Sequence, residues 1–218
     1  MQPNEQSAKS ICRDFETLKS LTGGRLGNSA DLILVSGPSC SGKTVWTERL
    51  ATSLNGLHVA GDDWALSEAE VIARLGRLDL ECPEAYDLDS LAVAISQLFL
   101  YGTTLSPRFD FAADRITGYR QVRRSSGPVL LEFLHSFDPL LRQGFSGKVL
   151  KIYIDGDERL RFKRRLARDT RFRGRTETAV LREWQQVLEG ERRFLDSYRL
   201  GADIVFVPPT DENEFNTN

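Results

Sequence analysis

Eight residues, Gly37-Pro38-Ser39-Cys40-Ser41-Gly42-Lys43-Thr44, follow the apolar run Leu32-Ile33-Leu34-Val35 and open a stretch with helical spacing. Their pattern is G-x-x-x-x-G-K-[ST], a phosphate-binding loop. Its glycines let the backbone curl so that successive N–H groups point inward at phosphate oxygens. The helix that follows aims its positive end at the same anion. Gly37, Ser39, Cys40, Ser41 and Gly42 are therefore expected to cradle the phosphates. Lys43 would reach the β- and γ-phosphates, and the Thr44 hydroxyl would ligate Mg²⁺.

Two acids fit the same chemistry. Leu57-His58-Val59-Ala60 reads as a short strand that ends in Gly61-Asp62-Asp63-Trp64. Open parallel sheets bind ligands at the C-terminal ends of their strands. An acid placed there faces the crevice of the phosphate loop, although it could equally cap a turn. The run Pro128-Val129-Leu130-Leu131-Glu132-Phe133-Leu134 is apolar except for Glu132. A carboxylate buried in such a strand needs a cation or hydrogen bonds. Mg²⁺ near Thr44 would supply the cation, which makes Glu132 the second metal-ligand candidate. Arg161, Arg164, Arg168, Arg171 and Arg175 recur every three or four residues and would share one helix face. Such a run is commonly a solvated face. Here Arg173-Gly174-Arg175 adds a charged tip able to close over phosphates as a lid.

The elements that must position these groups alternate along the chain. Strands are expected at 32–36, 57–60, 128–134, 148–154 and 202–207. Helices are expected at 11–21, 42–54, 67–75, 88–100, 157–172 and 177–198. Thr103 to Phe111 reads as extended, with a further edge strand at 114–122. The pattern predicts an α/β fold, a doubly wound parallel sheet of the P-loop type with helices on both faces, a small edge hairpin and an arginine-rich lid. Residues 1–30 would be an N-terminal extension with a frayed start and a short packing helix. Residues 31–209 would be the domain, with a lid at about 168–177, and residues 210–218 a disordered tail. At 218 residues the chain suffices for one such domain. A formal net charge of −2 gives no global attraction to nucleic acid or to a membrane surface. No apolar run approaches a membrane span. Three cysteines without C-x-x-C spacing argue against a disulfide framework or zinc site and fit a reducing, cytoplasmic setting.

Taken together, the motifs resemble the uridine/cytidine kinase and phosphoribulokinase branch of P-loop kinases, from about Leu32 to Pro208. Ser36 to Thr44 is similar to that family's S-G-x-S-x-S-G-K-T. Asp62-Asp63-Trp64 stands at its D-[SD]-[FW]-Y. Pro83-Glu84-Ala85-Tyr86-Asp87 resembles P-D-A-[FY]-D, and Pro107-Arg108-Phe109-Asp110-Phe111 resembles P-x-Y-D-[FY]. Arg164-Arg165-x-x-Arg168-Asp169 with Arg173-Gly174-Arg175 is similar to R-R-x-x-R-D…R-G-R, and Ala202-Asp203-Ile204 to the closing Y-A-D-[IV]-[IV].

The resemblance implies ATP and Mg²⁺ as cofactors and a small-molecule hydroxyl as acceptor, the 5′-OH of a nucleoside. Asp62 would take the hydroxyl proton, with Asp63 as the second candidate for that role and a contact to the substrate. Glu84 and Arg165 would grip the ribose, and Phe109 and Phe111 would wall the base. Arg168, Arg173 and Arg175 would contact substrate and ATP phosphates. The departures lie in the acceptor half. Asp114 stands where the family has a base-contacting His, Phe109 where it has Tyr, Ala65 for an aromatic, Phe133 for Gly and Glu183 for an amide. A GTPase would need N-K-x-D and D-x-x-G motifs, and neither occurs. A nucleotide-binding module without turnover, or with another acceptor, is the alternative. Nucleic-acid binding through the arginine face ranks below both, and self-association into a homo-oligomer is compatible with the sequence.

Overall fold

Leu32–Ser36 is buried along its whole length, and the architecture follows from that. Side chains alternate across a strand. Leu32 and Leu34 therefore face one layer, and Ile33 and Val35 the other. A strand apolar on both faces needs cover on both, which is the condition met by parallel sheets flanked by helices.

The computed structural model describes residues 9–26, 31–143 and 145–209. In chain order the elements are β1 (Ser10–Cys12), α1 (Phe15–Arg25), β2 (Leu32–Ser36), α2 (Lys43–Ser53), β3 (Leu57–Ala60), α3 (Glu68–Leu75) and α4 (Leu88–Tyr101). They continue with β4 (Thr103–Asp110), β5 (Arg115–Arg123), β6 (Val129–Glu132), β7 (Val149–Ile154), α5 (Glu158–Phe172), α6 (Glu177–Leu200) and β8 (Ile204–Phe206). Short 3-10 turns lie at Gly61–Trp64, Pro83–Ala85 and Pro139–Arg142. The central sheet runs β1-β8-β7-β2-β6-β3, and all its pairings are parallel. On one face Leu32 and Leu34 pack with Leu91, Ile95 and Leu98 of α4 and Leu195 of α6. On the other, Ile33 and Val35 pack with Phe15 and Leu18 of α1 and Trp46 and Leu50 of α2. Burying each such side chain stabilises the fold by about 1.5–3 kcal/mol. The doubly wound sheet with helices on both faces is thus the observed fold.

Two expectations need correction and one is met. The helix expected at 11–21 begins later, and its first residues are a strand. Ser10, Ile11 and Cys12 pair with Ile204, Val205 and Phe206, giving the outer edge of β8 its backbone partners. The Asp14 carboxylate then accepts the Thr17 N–H at 2.8 Å and starts α1 at Phe15. α1 also continues through Gly23 and Gly24, because the buried Leu18 and Thr22 anchor it. The edge hairpin is the expectation that is met: the strand expected at 114–122 is β5, which pairs antiparallel with β4 in a separate two-stranded sheet. Its side chains are mostly exposed, so it could not lie inside the buried sheet. The second correction concerns Val45 in the helix expected at 42–54, expected to face inward with Trp46 and Leu50 and instead 47% exposed. Of the frayed start expected over residues 1–10, Ser10 belongs to β1 and residues 1–8 lie outside the described residues, as does the tail expected at 210–218. Among the described residues no helix is long and apolar enough to cross a membrane, and Cys12, Cys40 and Cys82 are free thiols.

One contact ties two sheet ends together. Phe133 follows β6 and is fully buried. Its ring lies where a side chain on Gly61 would be, since a Cβ there would sit 2.3 Å from Phe133 Cδ1. Glycine at 61 and phenylalanine at 133 are therefore one packing unit. Gly61→Ala should cost about 1–3 kcal/mol of stability as an overpacking change. Urea denaturation should show this as a lower midpoint with an unchanged m-value. Phe133→Leu in the same chain should return part of the loss, because the two sites share one space.

Candidate active site

Sheet register brings the motifs together. Glu132 at the end of β6 is level with Val35 on one neighbour and Ala60 on the other. The phosphate loop starts two residues after Val35, and Asp62 comes two residues after Ala60. One buried acid thus lies between the loop and the second acid. The Thr44 hydroxyl donates to Glu132 Oε2 at 3.1 Å, and His58 Nε2 lies 3.5 Å from the same oxygen. A hydroxyl and a carboxylate are oxygen donors of the kind that Mg²⁺ takes. The Ser41 hydroxyl in the loop is buried without a partner. The residues present therefore fit a metal–phosphate group.

The loop is built for an anion. Of the six α-helices described, α2 alone starts without a side-chain cap. The others are capped by Asp14, Ser67, Asp87, Asp157 and Thr176. The N–H groups at the start of α2 are left for an external acceptor. Gly37 passes so close to the end of β7 that a Cβ would lie 2.1 Å from the Ile154 carbonyl oxygen. Without phosphate, the Lys43 ammonium donates to the Pro38 carbonyl at 3.1 Å.

A cleft opens from the loop toward the hairpin. Lys43, Asp62, Arg165 and Arg168 line it on the loop side, and Phe109, Phe111 and Asp114 on the hairpin side, its outer end, with Arg173 and Glu183 also in the lining. Burial pushes the Asp62 carboxyl up to about 6, and the Glu132 charge adds to this, while Lys43, Arg173 and Arg168 oppose it. Asp169 is buried and organises the arginines. Its carboxylate accepts from Arg168 Nε at 2.7 Å and lies 3.3 Å from Arg165 Nε and 3.6 Å from Arg173 Nε. Its carbonyl accepts the N–H groups of Arg173 and Arg175, which shapes the α5–α6 turn. The Arg173 guanidinium lies 4.3 Å from the centre of the Phe111 ring. Arg175 pairs with Glu68 and, at 3.3 Å, with Glu183. Phe109 and Phe111 meet edge to face at 5.0 Å.

The structure brings most of the expected site residues together and moves several. Glu84 is exposed and does not line the cleft. Glu81 lines it instead, 3.9 Å from Arg165, and burial pushes its carboxyl up to about 7. The 3-10 turn at Pro83–Ala85 carries Glu84 outward. Asp63 faces away from the cleft and pairs with Arg120 of β5 at 3.0 Å, fastening the hairpin to the turn after β3. The Ser39 N–H goes to the Glu191 carboxylate at 3.0 Å rather than inward. Asp114 lines the cleft, but its carboxylate also accepts the Glu68 N–H at 2.9 Å, joining the hairpin tip to the start of α3. The arginines divide. Arg161 is buried, Arg165 and Arg168 line the cleft, and Arg171 is exposed. Glu81, Glu191 and the charge-organising role of Asp169 carried no signal of spacing or periodicity. His58, expected only as part of a short strand, sits beside Glu132.

A model of the phosphoribulokinase/uridine kinase family matches residues 32–213. The uridine kinase of Listeria monocytogenes serotype 4a is 31% identical over 186 residues, covering 82% of this chain and 87% of its own length. Among solved structures, a candidate fructose transport system kinase from a Silicibacter species shares the fold. It has a TM-score of 0.69 and 20% identity over 89% of this chain and 99% of that one. Phosphoribulokinase from Rhodobacter spheroides also shares it, with a TM-score of 0.58 and 18% identity over 87% of this chain and 74% of that one. P-loop kinases of this family use ATP with Mg²⁺. The chain belongs to the phosphoribulokinase/uridine kinase family.

Proposed function

We propose that the protein transfers the γ-phosphoryl group of ATP to the 5′-hydroxyl of a ribonucleoside. The observation that carries this reading is the place of Asp62. It lies in the cleft between the phosphate loop and the Phe109–Phe111 wall, beside Lys43, Arg168 and Arg173. Its raised carboxyl suits a group that must accept a proton near neutral pH.

The phosphate loop holds the β- and γ-phosphates, and Lys43 moves from the Pro38 carbonyl to them. Thr44 and Glu132 would hold Mg²⁺, which would supply neutralising charge to the phosphate oxygens. Asp62 accepts the proton of the attacking hydroxyl. Arg168 and Arg173, with Arg175 from the same turn, close as a lid and balance charge on the group in transfer. Glu81 and Arg165 grip the sugar hydroxyls, in the place first given to Glu84. Phe109 and Phe111 present an apolar wall to the base. The relatives named uridine kinase support a nucleoside acceptor, and the carboxylates of Asp114 and Glu183 in the cleft set which base is accepted. ADP release against nucleosides, sugars and sugar phosphates tests the reading, and turnover with a non-nucleoside alone would replace it.

Asp62→Asn should lower kcat by about 10²- to 10⁴-fold, the usual contribution of a general base, with little change in ATP affinity by calorimetry. Asp169→Asn should lower kcat by at least about tenfold, since loss of one buried charge lets three arginines separate. Adding free guanidinium should not restore it. Glu81 also gives a pH signature. Its carboxyl is raised from 4.5 to about 7 in the fold. The stabilisation from the protonated form is complete below the unfolded value and is lost as pH rises through the folded one. Thermal melts of ligand-free Glu81→Gln against the unsubstituted protein should therefore favour the variant increasingly between pH 5 and pH 8. A constant difference across that range would remove the assignment.

A further inference from the structure

Ser39 has three polar groups, and side chains from α5 and α6 engage all of them. Its N–H donates to Glu191 Oε1 at 3.0 Å, its carbonyl accepts from Arg161 Nη1 at 3.2 Å, and its hydroxyl accepts from Arg165 Nη1 at 3.2 Å. Glu191 and Arg161 pair with each other at 2.7 Å, with side chains only 9% and 6% exposed. Stability does not account for such a pair, because well-packed apolar residues commonly do as well or better in its place.

The next residue explains what the pair holds. Cys40 adopts φ 61, the left-handed region, without being glycine. That conformation costs an L-residue about 1–2 kcal/mol, and it persists where the surroundings over-determine it. Gripping both the N–H and the carbonyl of Ser39 fixes the peptide planes on either side of that residue. The chain then enters Cys40 at the angle that leads, past a Ser41 N–H bonded to the Pro38 carbonyl, into the uncapped start of α2, whose N–H groups face the anion.

We infer that Glu191 and Arg161 are positioning residues for ATP binding, holding the phosphate loop open at Ser39 from the two helices that carry the lid. This rests on the reading that the loop binds ATP. Both act through the Ser39 backbone, Glu191 on its N–H and Arg161 on its carbonyl, and not on the phosphates themselves. Because α5 and α6 also carry Arg168, Asp169 and Glu183, the pair links the donor loop to the elements that close over the acceptor.

Calorimetric titration of the full chain with ATP and Mg²⁺ tests this. Glu191→Ala should weaken binding by about tenfold, the worth of one hydrogen bond to a charged group. Glu191→Gln keeps a carbonyl acceptor for the Ser39 N–H and should bind within about twofold of the unsubstituted protein, on the same scale. A structural role alone would lower the melting temperature of both variants and leave the affinity of the folded protein unchanged. Should Glu191→Ala not fold, Arg161→Lys keeps the charge and loses the guanidinium fork, and it should weaken ATP several-fold. Unchanged affinity in folded Glu191→Ala or Arg161→Lys overturns the inference. So does a Gln variant as weak as the Ala variant. If the unsubstituted protein fails to bind ATP, the donor-loop reading falls, and the inference with it.

Discussion

Cations gathered to meet a polyphosphate repel one another until it arrives. Lys43, Arg165, Arg168 and Arg173 converge on a single cleft. Two unit charges 4 Å apart interact by about 4 kcal/mol at the effective dielectric of a protein surface. Asp169 answers this constraint by standing within 3.6 Å of three guanidinium groups. The balance remains visible at Arg173, whose basicity is lowered first by burial and then by Arg168. On the other side, burial raises the Asp62 and Glu81 carboxyls despite nearby cations. The site is thus a set of opposed charges, with Asp169 held against three guanidinium groups and Glu81 against Arg165.

The parallel sheet gives these charges their spacing. Three adjacent strands end at the same level, so the phosphate loop, Glu132 and the turn bearing Asp62 leave the sheet side by side. The apolar layers on both faces hold that register, since slipping a strand by one residue would reverse its buried side chains. Phe133 against Gly61 then locks the two turns that carry the acids. Chemistry at the strand ends is in this sense a product of core packing on either side.

What could be read from the chain follows from how local each signal is. Lys43, Thr44 and Glu132 were legible because a loop pattern and a polar residue in an apolar run are contained within a few neighbours. Asp62 and Asp63 were harder to separate, because adjacent residues of a 3-10 turn point about a third of a revolution apart. Only docking of the hairpin shows that Arg120 takes the second. Glu81 and Glu84 differ in the same way. Both flank Cys82-Pro83, and the turn at Pro83 decides which enters the cleft. Ser10–Cys12 misled because Ile11, Phe15 and Leu18 have helical spacing, while the decisive partner is β8, some 190 residues away by the pairing of Ser10 with Ile204. Glu191 meets Ser39 across a comparable separation, which no window of sequence can contain.

The hairpin of β4 and β5 shares no backbone pairing with the central sheet. It is fastened to the rest through side chains, Asp63 to Arg120 and Asp114 to the Glu68 N–H among them. Residues on it can therefore drift without disturbing the register that sets the phosphate machinery. A gene for such a fold can exchange one acceptor for another by a few substitutions in that one segment. Descent with changed specificity is then easier than descent with changed chemistry.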